Sequence, residues 1–482
     1  MNNVLSFRDP SGRLFTAGRR VLRIVDGPAM PDAMALLNSN RAKQCMDRGH
    51  LVKTGVLDST EAAGLLEGFE GALPFSGTGE SMVLEHERVD FPSFPCEWSS
   101  EMLWAAGTLT LNLAEAFLHD GIGLKDATPS NVLFRGPAPI FVDILSFERR
   151  DPTDPIWLPY AQFVRTFLLP LLVDKYFGLP SYGLFFEHSD GVRPDEVYGL
   201  LGPVRKLVPP FLTLVSLPVW LSRRLNQRDT AIYQGKHLSD TKKARFILQT
   251  LFRRLRRHLQ RLAPKSGRST DWSSYADSSG YSERDLLTKK SFIEGMMTEF
   301  APGRVLDAGC NTGYFSTIAA RAGAKVVAID YDPVVVGEVW RNASRDSLDI
   351  LPLVVNLARP TPALGWRNSE SPSFLTRAHH SFDAVLMLAL IHHLVVTERI
   401  PLAEIVELAA QLTTDILLAE YVGPEDLMFR SLTRGRERRH LDLTKEFFEM
   451  TFRRHFEIVR TQQLTDTGRR LYLMRKRATV GA

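Results

Sequence analysis

Cysteine is scarce in this sequence, with only Cys45, Cys96 and Cys310 among 482 residues. The three residues share no metal-binding spacing, and an odd number cannot all pair in disulfides. Disulfide-stabilised folds are typical of secreted proteins, whereas free thiols are typical of the reducing cytoplasm. The cysteine content therefore favours a cytoplasmic protein.

Long apolar runs are also missing. A membrane-spanning helix needs about 18 or more consecutive apolar residues, and the nearest candidate, residues 207–221, is interrupted by Pro209, Pro210 and Pro218. We interpret this stretch as a buried or interfacial segment. The first residues, MNNVLSFRDPSGRLF, lack the basic and then apolar pattern of a secretory signal.

Neither charge sign dominates the chain, which has 59 Lys and Arg against 55 Asp and Glu residues. The basic excess is local, because residues 236–268 hold eleven Lys and Arg residues and a single acid, Asp240. Apolar residues at helical spacing predict an amphipathic helix over residues 242–262. This helix either covers a domain face or contacts an anionic membrane surface or another partner. Aromatic residues do not alternate with its basic residues, so the sequence does not support binding of nucleic acid.

The length suffices for two or more hydrophobic cores. We expect an α+β domain over residues 1–235, then the basic amphipathic helix and a Ser-rich linker over 236–285. A further domain is expected over 286–482.

Residues 304–332, RVLDAGCNTGYFSTIAARAGAKVVAIDYD, are the most informative part of the chain. A buried strand reaches Asp307, a turn with Gly309 and Gly313 follows, and a helical pattern leads to a second strand ending at Asp330. Strand, glycine turn, helix and strand form a βαβ unit, whose ligand binds at the carboxyl ends of the strands. A carboxylate at the second strand end can accept hydrogen bonds from both ribose hydroxyls of a nucleoside cofactor.

These residues resemble the first motif of the class I S-adenosylmethionine-dependent methyltransferases. Asn311 stands where the family has its middle glycine, and asparagine can adopt the left-handed backbone that such a turn needs. A nicotinamide enzyme would instead show G-x-G-x-x-G, which GCNTGY does not match. The resemblance implies an α/β, Rossmann-like doubly wound sheet with an antiparallel closing hairpin. It also implies S-adenosyl-L-methionine as cofactor, bound by Asp307, Gly309, Asn311, Gly313 and Asp330.

Further candidates follow other predicted strands of this region. Tyr331 is placed to lie against the adenine face, and Asn356, after the third strand, can offer its carbonyl oxygen to the adenine amino group. The fourth strand leads to His392 and His393, and the fifth ends at Glu420.

Methyl transfer depends mainly on in-line alignment of nucleophile, methyl and sulfur. The remaining task is to remove a proton from an acceptor oxygen or nitrogen. We predict His392 or His393 as the general base, with an activity limb near pH 6 to 7, where an ordinary histidine titrates. The alternative is that one histidine of the pair only orders the loop. Glu420 is the second candidate base, and no metal site is predicted.

A weaker signal lies in GLKDATPSNVLFRGPAPIFVDILSFE, residues 123–148. It resembles the catalytic loop of protein kinases and aminoglycoside phosphotransferases, with Asp126 and Asn131 in D-x-x-x-x-N spacing and Asp143 after the next two strands. The resemblance implies that Asp126 would take a proton from a hydroxyl while Asn131 and Asp143 would hold magnesium. Leu124 replaces the usual His, and no convincing glycine-rich phosphate loop precedes it. A degenerate kinase-like domain and an unrelated β-hairpin both stay open.

The layout of the whole chain resembles a rhizobial family of host-specific nodulation proteins, the NoeA-like family. This resemblance implies a bacterial enzyme that methylates an oxygen or nitrogen of a small-molecule or glycan-type acceptor. Two other functions stay open: a phosphotransferase or bifunctional enzyme using Asp126, Asn131 and Asp143, and a non-catalytic cofactor-binding scaffold. The presence of all four of Asp307, Gly309, Gly313 and Asp330 argues against the scaffold.

Overall fold

The computed structural model describes residues 3–4, 9–67, 81–224, 237–265, 267, 281–433 and 443–478. Most of the predicted Ser-rich linker lies outside these residues. By internal contacts the chain divides into two compact units. The first runs to Pro264, and the second comprises the residues from Lys265 onward together with the short segments Glu97–Ser99 and Arg135–Ala138.

The first unit begins with a five-stranded antiparallel sheet in the order β1-β2-β3-β5-β4. The strands are β1 (Asn3–Val4), β2 (Gly12–Ala17), β3 (Arg20–Asp26), β4 (Thr54–Val56) and β5 (Ser81–His86), and the helices between them are α1 (Met30–Asn38), α2 (Asn40–Asp47) and α3 (Ser59–Glu67). Leu22 and Ile24 alternate along β3 and pack with Phe15, Val83 and Ala62 in one small core. Arg23 and Val25, which point to the opposite face of β3, are buried as well, so this strand is covered on both faces.

Helices dominate the rest of the first unit. The helix α4 (Ser100–Phe117) precedes two small two-stranded sheets, β6 (Ile122–Leu124) with β9 (Phe147–Arg149) and β7 (Val132–Arg135) with β8 (Ala138–Phe141). The helices that follow are α5 (Tyr160–Phe163), α6 (Leu169–Phe177), α7 (Ser181–Glu187), α8 (Pro194–Leu200) and α9 (Leu217–Arg224). The predicted α+β class of the N-terminal part is therefore confirmed, while its kinase-like character stays a prediction.

The basic segment forms helix α10 (Thr241–Leu262). The Asp240 carboxylate caps it by accepting a hydrogen bond from the Lys242 amide at 2.8 Å, which satisfies one of the free amides at a helix start. The apolar stripe is buried and consists of Ala244, Leu248, Phe252, Leu255, Leu259 and Leu262. The Trp104 indole of α4 donates to the Leu259 carbonyl at 3.1 Å.

The second unit contains a seven-stranded sheet in the order β12-β11-β10-β13-β14-β16-β15. The strands are β10 (Arg304–Ala308), β11 (Lys325–Asp330), β12 (Ile350–Val354), β13 (Phe382–Met387), β14 (Thr413–Tyr421), β15 (Phe456–Gln463) and β16 (Arg470–Lys476). The helices are α11 (Glu283–Phe300), α12 (Tyr314–Arg321), α13 (Pro333–Asp346), α14 (Phe374–Ala378), α15 (Ile391–Val396), α16 (Leu402–Leu412), α17 (Leu427–Thr433) and α18 (Lys445–Phe452).

Strands β10 to β14 are parallel, and β16 and β15 add to them as an antiparallel hairpin. The parallel strands are nearly continuous in apolar residues, and all five residues of the edge strand β12 are buried, as expected of a parallel sheet covered on both faces. The predicted Rossmann-like sheet with its closing hairpin is confirmed. No helix in the described part of the chain is long and apolar enough to cross a membrane.

Candidate functional site

A cavity of about 760 Å³ lies at the carboxyl ends of the parallel strands in the second unit. Parallel strands bring their carboxyl ends to one edge of a sheet, so residues far apart in sequence meet there. The predicted residues that line the cavity are Asp307, Gly309, Asn311, Asp330, Tyr331, Asn356 and His393. Gly313, His392 and Glu420 stand outside this lining.

The glycine turn after β10 has the left-handed backbone that its sequence predicts. Asn311 has a φ of 49°, and Gly309 and Gly313 have φ of 76° and 80°. Gly313 serves the fold rather than the cavity surface: it precedes α12, and a Cβ there would lie 2.9 Å from Cγ2 of Val339 in α13. A glycine at this point therefore lets α13 pack closely against the turn.

Asp330 joins the glycine turn to the end of β11. Its carboxylate accepts a hydrogen bond from the Asn311 amide at 3.0 Å and another from the Asp332 amide at 3.1 Å. Burial raises the pKa of Asp330 to about 6, and these backbone hydrogen bonds oppose the rise. A carboxylate has about four acceptor positions, so acceptor capacity remains beside these amides.

Asp307 is almost fully buried beneath the same turn. The Ser316 hydroxyl, in the first turn of α12, donates to its Oδ2 at 2.6 Å. Burial raises the pKa of Asp307 to about 6, and the nearby Asp330 carboxylate adds to the rise. Sequence reasoning missed Ser316, although its position one helical turn after the glycines was a readable signal.

Two further residues flank the Asp330 side of the cavity. Tyr331 is about half exposed, at 46%, so its ring can form part of the wall. Asn356 accepts a hydrogen bond from the Ala358 amide at 2.9 Å through Oδ1. This bond fixes the side-chain amide, and the same oxygen keeps a second lone pair for a ligand donor.

A buried ion pair lies behind the cavity. Lys289 of α11 donates from Nζ to Oε2 of Glu420 at 2.7 Å, and the Tyr281 hydroxyl donates to Oε1 of Glu420 at 2.5 Å. Lys289 and Tyr281 line the cavity, whereas Glu420 is fully buried. Glu420 was predicted as a candidate base. Both of its carboxylate oxygens already accept a hydrogen bond, one from the Lys289 ammonium and one from the Tyr281 phenol.

Arg469 completes this network from the loop between β15 and β16. Its Nε donates to Oδ2 of Asp426 at 2.8 Å, and its guanidinium carbon lies 4.4 Å from the centre of the Tyr281 ring. Arg469 is 1% exposed. Two buried cations thus face two buried carboxylates, which is the condition under which buried charges are tolerated. Sequence reasoning missed Arg469 and Asp426, because only the tertiary fold brings them together.

The two histidines at the start of α15 differ in position. His393 lines the cavity, whereas His392 is 1% exposed and packs against His393 with ring centres 4.2 Å apart. Burial lowers the pKa of His393 to about 4, with a smaller contribution from Arg469, and holds the pKa of His392 well below its usual range. Both shifts favour the neutral ring and argue against the expected titration near pH 6 to 7.

The kinase-like residues come together within the first unit. Asn131 donates from Nδ2 to Oδ2 of Asp126 at 3.1 Å and to the Ser146 hydroxyl at 3.0 Å, and Ser146 in turn donates to Asp143. Arg23 of β3 pairs with Asp143, with 2.7 Å between Nη1 and Oδ1. Asp143, the predicted magnesium ligand, is therefore held by an arginine. In the described residues no three His, Cys, Asp or Glu side chains converge as a metal site.

Comparisons with known proteins agree with this geometry. Residues 247–448 match a family model described as a methyltransferase domain. The nodulation protein NoeA of Rhizobium meliloti (strain 1021) is 30% identical over 97% of this chain and 94% of its own length. The chain belongs to the NoeA family. The family resemblance and the methyltransferase domain are thereby confirmed, and the domain indicates S-adenosylmethionine as the cofactor.

Solved structures similar to this chain include two methyltransferases. The N-methyltransferase NodS from Bradyrhizobium japonicum WM9 is 13% identical, with a TM-score of 0.31 over 41% of this chain and 98% of that one. The magnesium protoporphyrin IX methyltransferase from Synechocystis PCC 6803, with bound SAH, is 19% identical, with a TM-score of 0.29 over 48% of this chain and 95% of that one.

Replacing Asp330 by alanine should weaken S-adenosylmethionine binding by roughly 2 to 4 kcal/mol, the value of two charge-assisted hydrogen bonds. Isothermal calorimetry measures the change, and thermal melting checks that the variant is folded. The matched control is Asn311→Gly in the same turn, which should bind almost normally because glycine adopts the left-handed backbone without strain. Unchanged affinity in Asp330→Ala would rule out this carboxylate as the ribose ligand.

Cofactor affinity should also depend on pH. Hydrogen bonds from ribose hydroxyls favour the ionised Asp330 carboxylate, so affinity is full above the pKa of about 6 and falls as the pH drops below it. The fall can reach about tenfold per pH unit. Calorimetry across this range tests the prediction, with Asp330→Asn expected to flatten the curve. A curve that Asp330→Asn leaves unchanged would assign the titration to Asp307 instead.

Proposed function

We propose that this protein transfers a methyl group from S-adenosylmethionine to an oxygen or nitrogen of a small-molecule or glycan-type acceptor. The observation that carries the proposal is the position of Asp307 and Asp330 on either side of a left-handed glycine turn, at a cavity that also contains His393. The acceptor class comes from the family resemblance and not from the cavity.

The cavity suits a nucleoside cofactor. Asp330 would accept the ribose hydroxyls, because its carboxylate is fixed by two amides and retains acceptor capacity. Tyr331 would lie against the adenine, and the free lone pair of Asn356 would meet its amino group. When bound, S-adenosylmethionine supplies a methyl group on a sulfonium, which is already an activated donor.

The opposite part of the cavity would admit the acceptor. Its lining includes the apolar Leu390, Leu394 and Leu432, together with His393 and the polar Thr397 and Glu398. A neutral His393 can accept a proton from an acceptor hydroxyl or amine, although its low pKa makes it a weak base. The apolar wall would exclude water and orient the acceptor, which is the larger part of the task in methyl transfer.

Lys289 and Tyr281 would form part of the cavity wall. Both lie in the residues that precede β10. The Lys289 ammonium is fixed by Glu420 and lies 4.8 Å from the centre of the Phe315 ring. Burial lowers the pKa of Lys289, while Glu420 opposes the fall. We assign both residues to positioning, since their polar atoms bind each other and Glu420.

Calorimetry with S-adenosylmethionine, S-adenosylhomocysteine and magnesium-ATP in parallel separates the proposed methyltransferase from a phosphotransferase. We expect both sulfur compounds to bind and ATP to be neither bound nor hydrolysed, because Arg23 and Ser146 occupy the Asp143 carboxylate. Magnesium-dependent phosphate release that is lost in Asp143→Ala would instead show a bifunctional enzyme. Failure of both sulfur compounds to bind would exclude the proposed function.

His393→Gln should lower turnover by at most about 10² to 10⁴, the usual range for a general base, because a base of low pKa contributes less. Cofactor affinity should change little. Turnover is measured with an acceptor identified by transfer of labelled methyl from S-adenosylmethionine. The matched control is His392→Gln, which changes the neighbouring buried ring outside the cavity and should mainly lower stability.

The pH profile gives a second test of the same histidine. The neutral form of His393, which accepts the proton, is lost only as the pH falls through its pKa of about 4. We therefore expect the contribution of His393 to turnover to stay constant from neutral pH down to mildly acid conditions. Ring titration followed by NMR measures the pKa directly. Full activity in both variants would place the base elsewhere or show that the acceptor needs none.

A further inference from the structure

One surface of the first unit is both apolar and basic. It consists of the exposed residues Leu200, Val204, Leu207, Val208, Leu217 and Leu221 together with Arg205, Lys206 and Arg223. The six aliphatic side chains are between 39% and 75% exposed. Residues 197–223 contain three Lys or Arg residues and no Asp or Glu. We call this set the apolar–basic surface.

The segment that carries this surface is well packed on its inner side. Val197, Leu214, Val215 and Val219 are all at most 4% exposed. The exposed aliphatic residues therefore do not reflect a missing core. Exposed aliphatic residues grouped on one segment and flanked by polar residues are typical of an interaction surface.

Two cations of the apolar–basic surface, Lys206 and Arg223, lie against the ring of Tyr198. Lys206, in the turn of residues 202–209, has its Nζ 4.1 Å from the centre of the Tyr198 ring, and Arg223 of α9 has its guanidinium carbon 5.4 Å from it. The Trp220 indole donates to the Tyr198 hydroxyl at 3.1 Å. The turn and the end of α9 are therefore neighbours, and their cations meet at one aromatic ring.

The nearest acids in sequence are Asp195 and Glu196, at the start of α8. Both pair with one cation, Arg193, the latter at 3.6 Å, so one arginine against two carboxylates leaves this group with a net charge of −1. The three cations of the apolar–basic surface, Arg205, Lys206 and Arg223, outnumber that charge.

We propose that the apolar–basic surface docks this protein on the surface of an anionic lipid bilayer. Val204, Leu207 and Val208 would enter the acyl boundary, while Arg205 and Lys206 between them would meet the lipid phosphates. Apolar burial and attraction to anionic headgroups together are what hold peripheral proteins on membranes. Trp and Tyr, here Trp220 and Tyr198, are the aromatic residues that favour that boundary.

Two other assignments fit these residues less well. A second copy of the chain would bring together two surfaces that each carry Arg205, Lys206 and Arg223, and the repulsion of like charges opposes self-association. The basic helix α10, the other candidate for a membrane contact, has its apolar stripe buried in the first unit. The basic side chains of α10 can contact anionic headgroups, but its buried apolar stripe cannot insert into the bilayer.

Vesicle flotation of the full chain tests the proposal. Vesicles of phosphatidylcholine mixed with phosphatidylglycerol should carry the protein upward, pure phosphatidylcholine vesicles should bind it far less, and added salt should weaken binding. The double variant Val204→Asp with Leu207→Asp should reduce binding to the mixed vesicles by at least about tenfold. Both positions are exposed, so folding and S-adenosylmethionine binding should be preserved.

The single variant Val204→Asp, tested beside the double one, is matched by the control Leu427→Asp, which places the same one charge on an aliphatic residue that is 81% exposed in the second unit. Leu427→Asp should float like the unmodified protein. Equal binding of the double variant and the unmodified protein would overturn the assignment to this surface. No flotation of the unmodified protein would overturn the lipid partner, and a dimer in sedimentation velocity that the double variant abolishes would replace it with self-association.

Discussion

The hydrogen bonds that Asp330 accepts from two backbone amides are the constraint on which the cofactor end of the second unit depends. One amide belongs to Asn311 in the glycine turn and the other to Asp332, which caps α13. A single carboxylate thus fixes the turn after β10, the end of β11 and the start of the next helix. Its burial is costly, as the raised pKa shows, and the amides offset part of that cost.

The same principle recurs deeper in the unit, where charge is buried only with a partner. Glu420 balances Lys289, and Asp426 balances Arg469. Removing one member of such a pair leaves an unpaired buried charge, which typically costs about 3 to 5 kcal/mol of stability. The cavity wall is therefore rigid on this side, because its polar groups have their hydrogen bonds made before any ligand arrives. Such preorganisation favours precise alignment over adaptability.

The local features of the second unit could be predicted from the sequence, whereas the contacts between residues far apart in the chain could not. The βαβ unit, the left-handed Asn311 and the carboxylates at strand ends follow from periodicity and turn chemistry within about 30 residues. The Lys289–Glu420 and Arg469–Asp426 pairs join positions far apart in sequence, which no local pattern encodes. The histidine pKa values were missed for a related reason, since they depend on burial. In the first unit, the spacing of Asp126 and Asn131 was visible, but the arginine that neutralises Asp143 lies on a distant strand.

The Tyr281 hydroxyl has a consequence for where the methyltransferase domain begins. Its bond to Glu420 ties the residues before α11 to the end of β14, so the cavity takes part of its wall from the lead-in segment. A fragment cut at residue 286, where the sequence pattern places the boundary, would lose that phenol and expose the Lys289–Glu420 pair to water. We therefore expect that the methyltransferase domain cannot be separated at the predicted boundary, because its cavity wall includes a residue from a stretch that sequence composition assigns to a linker.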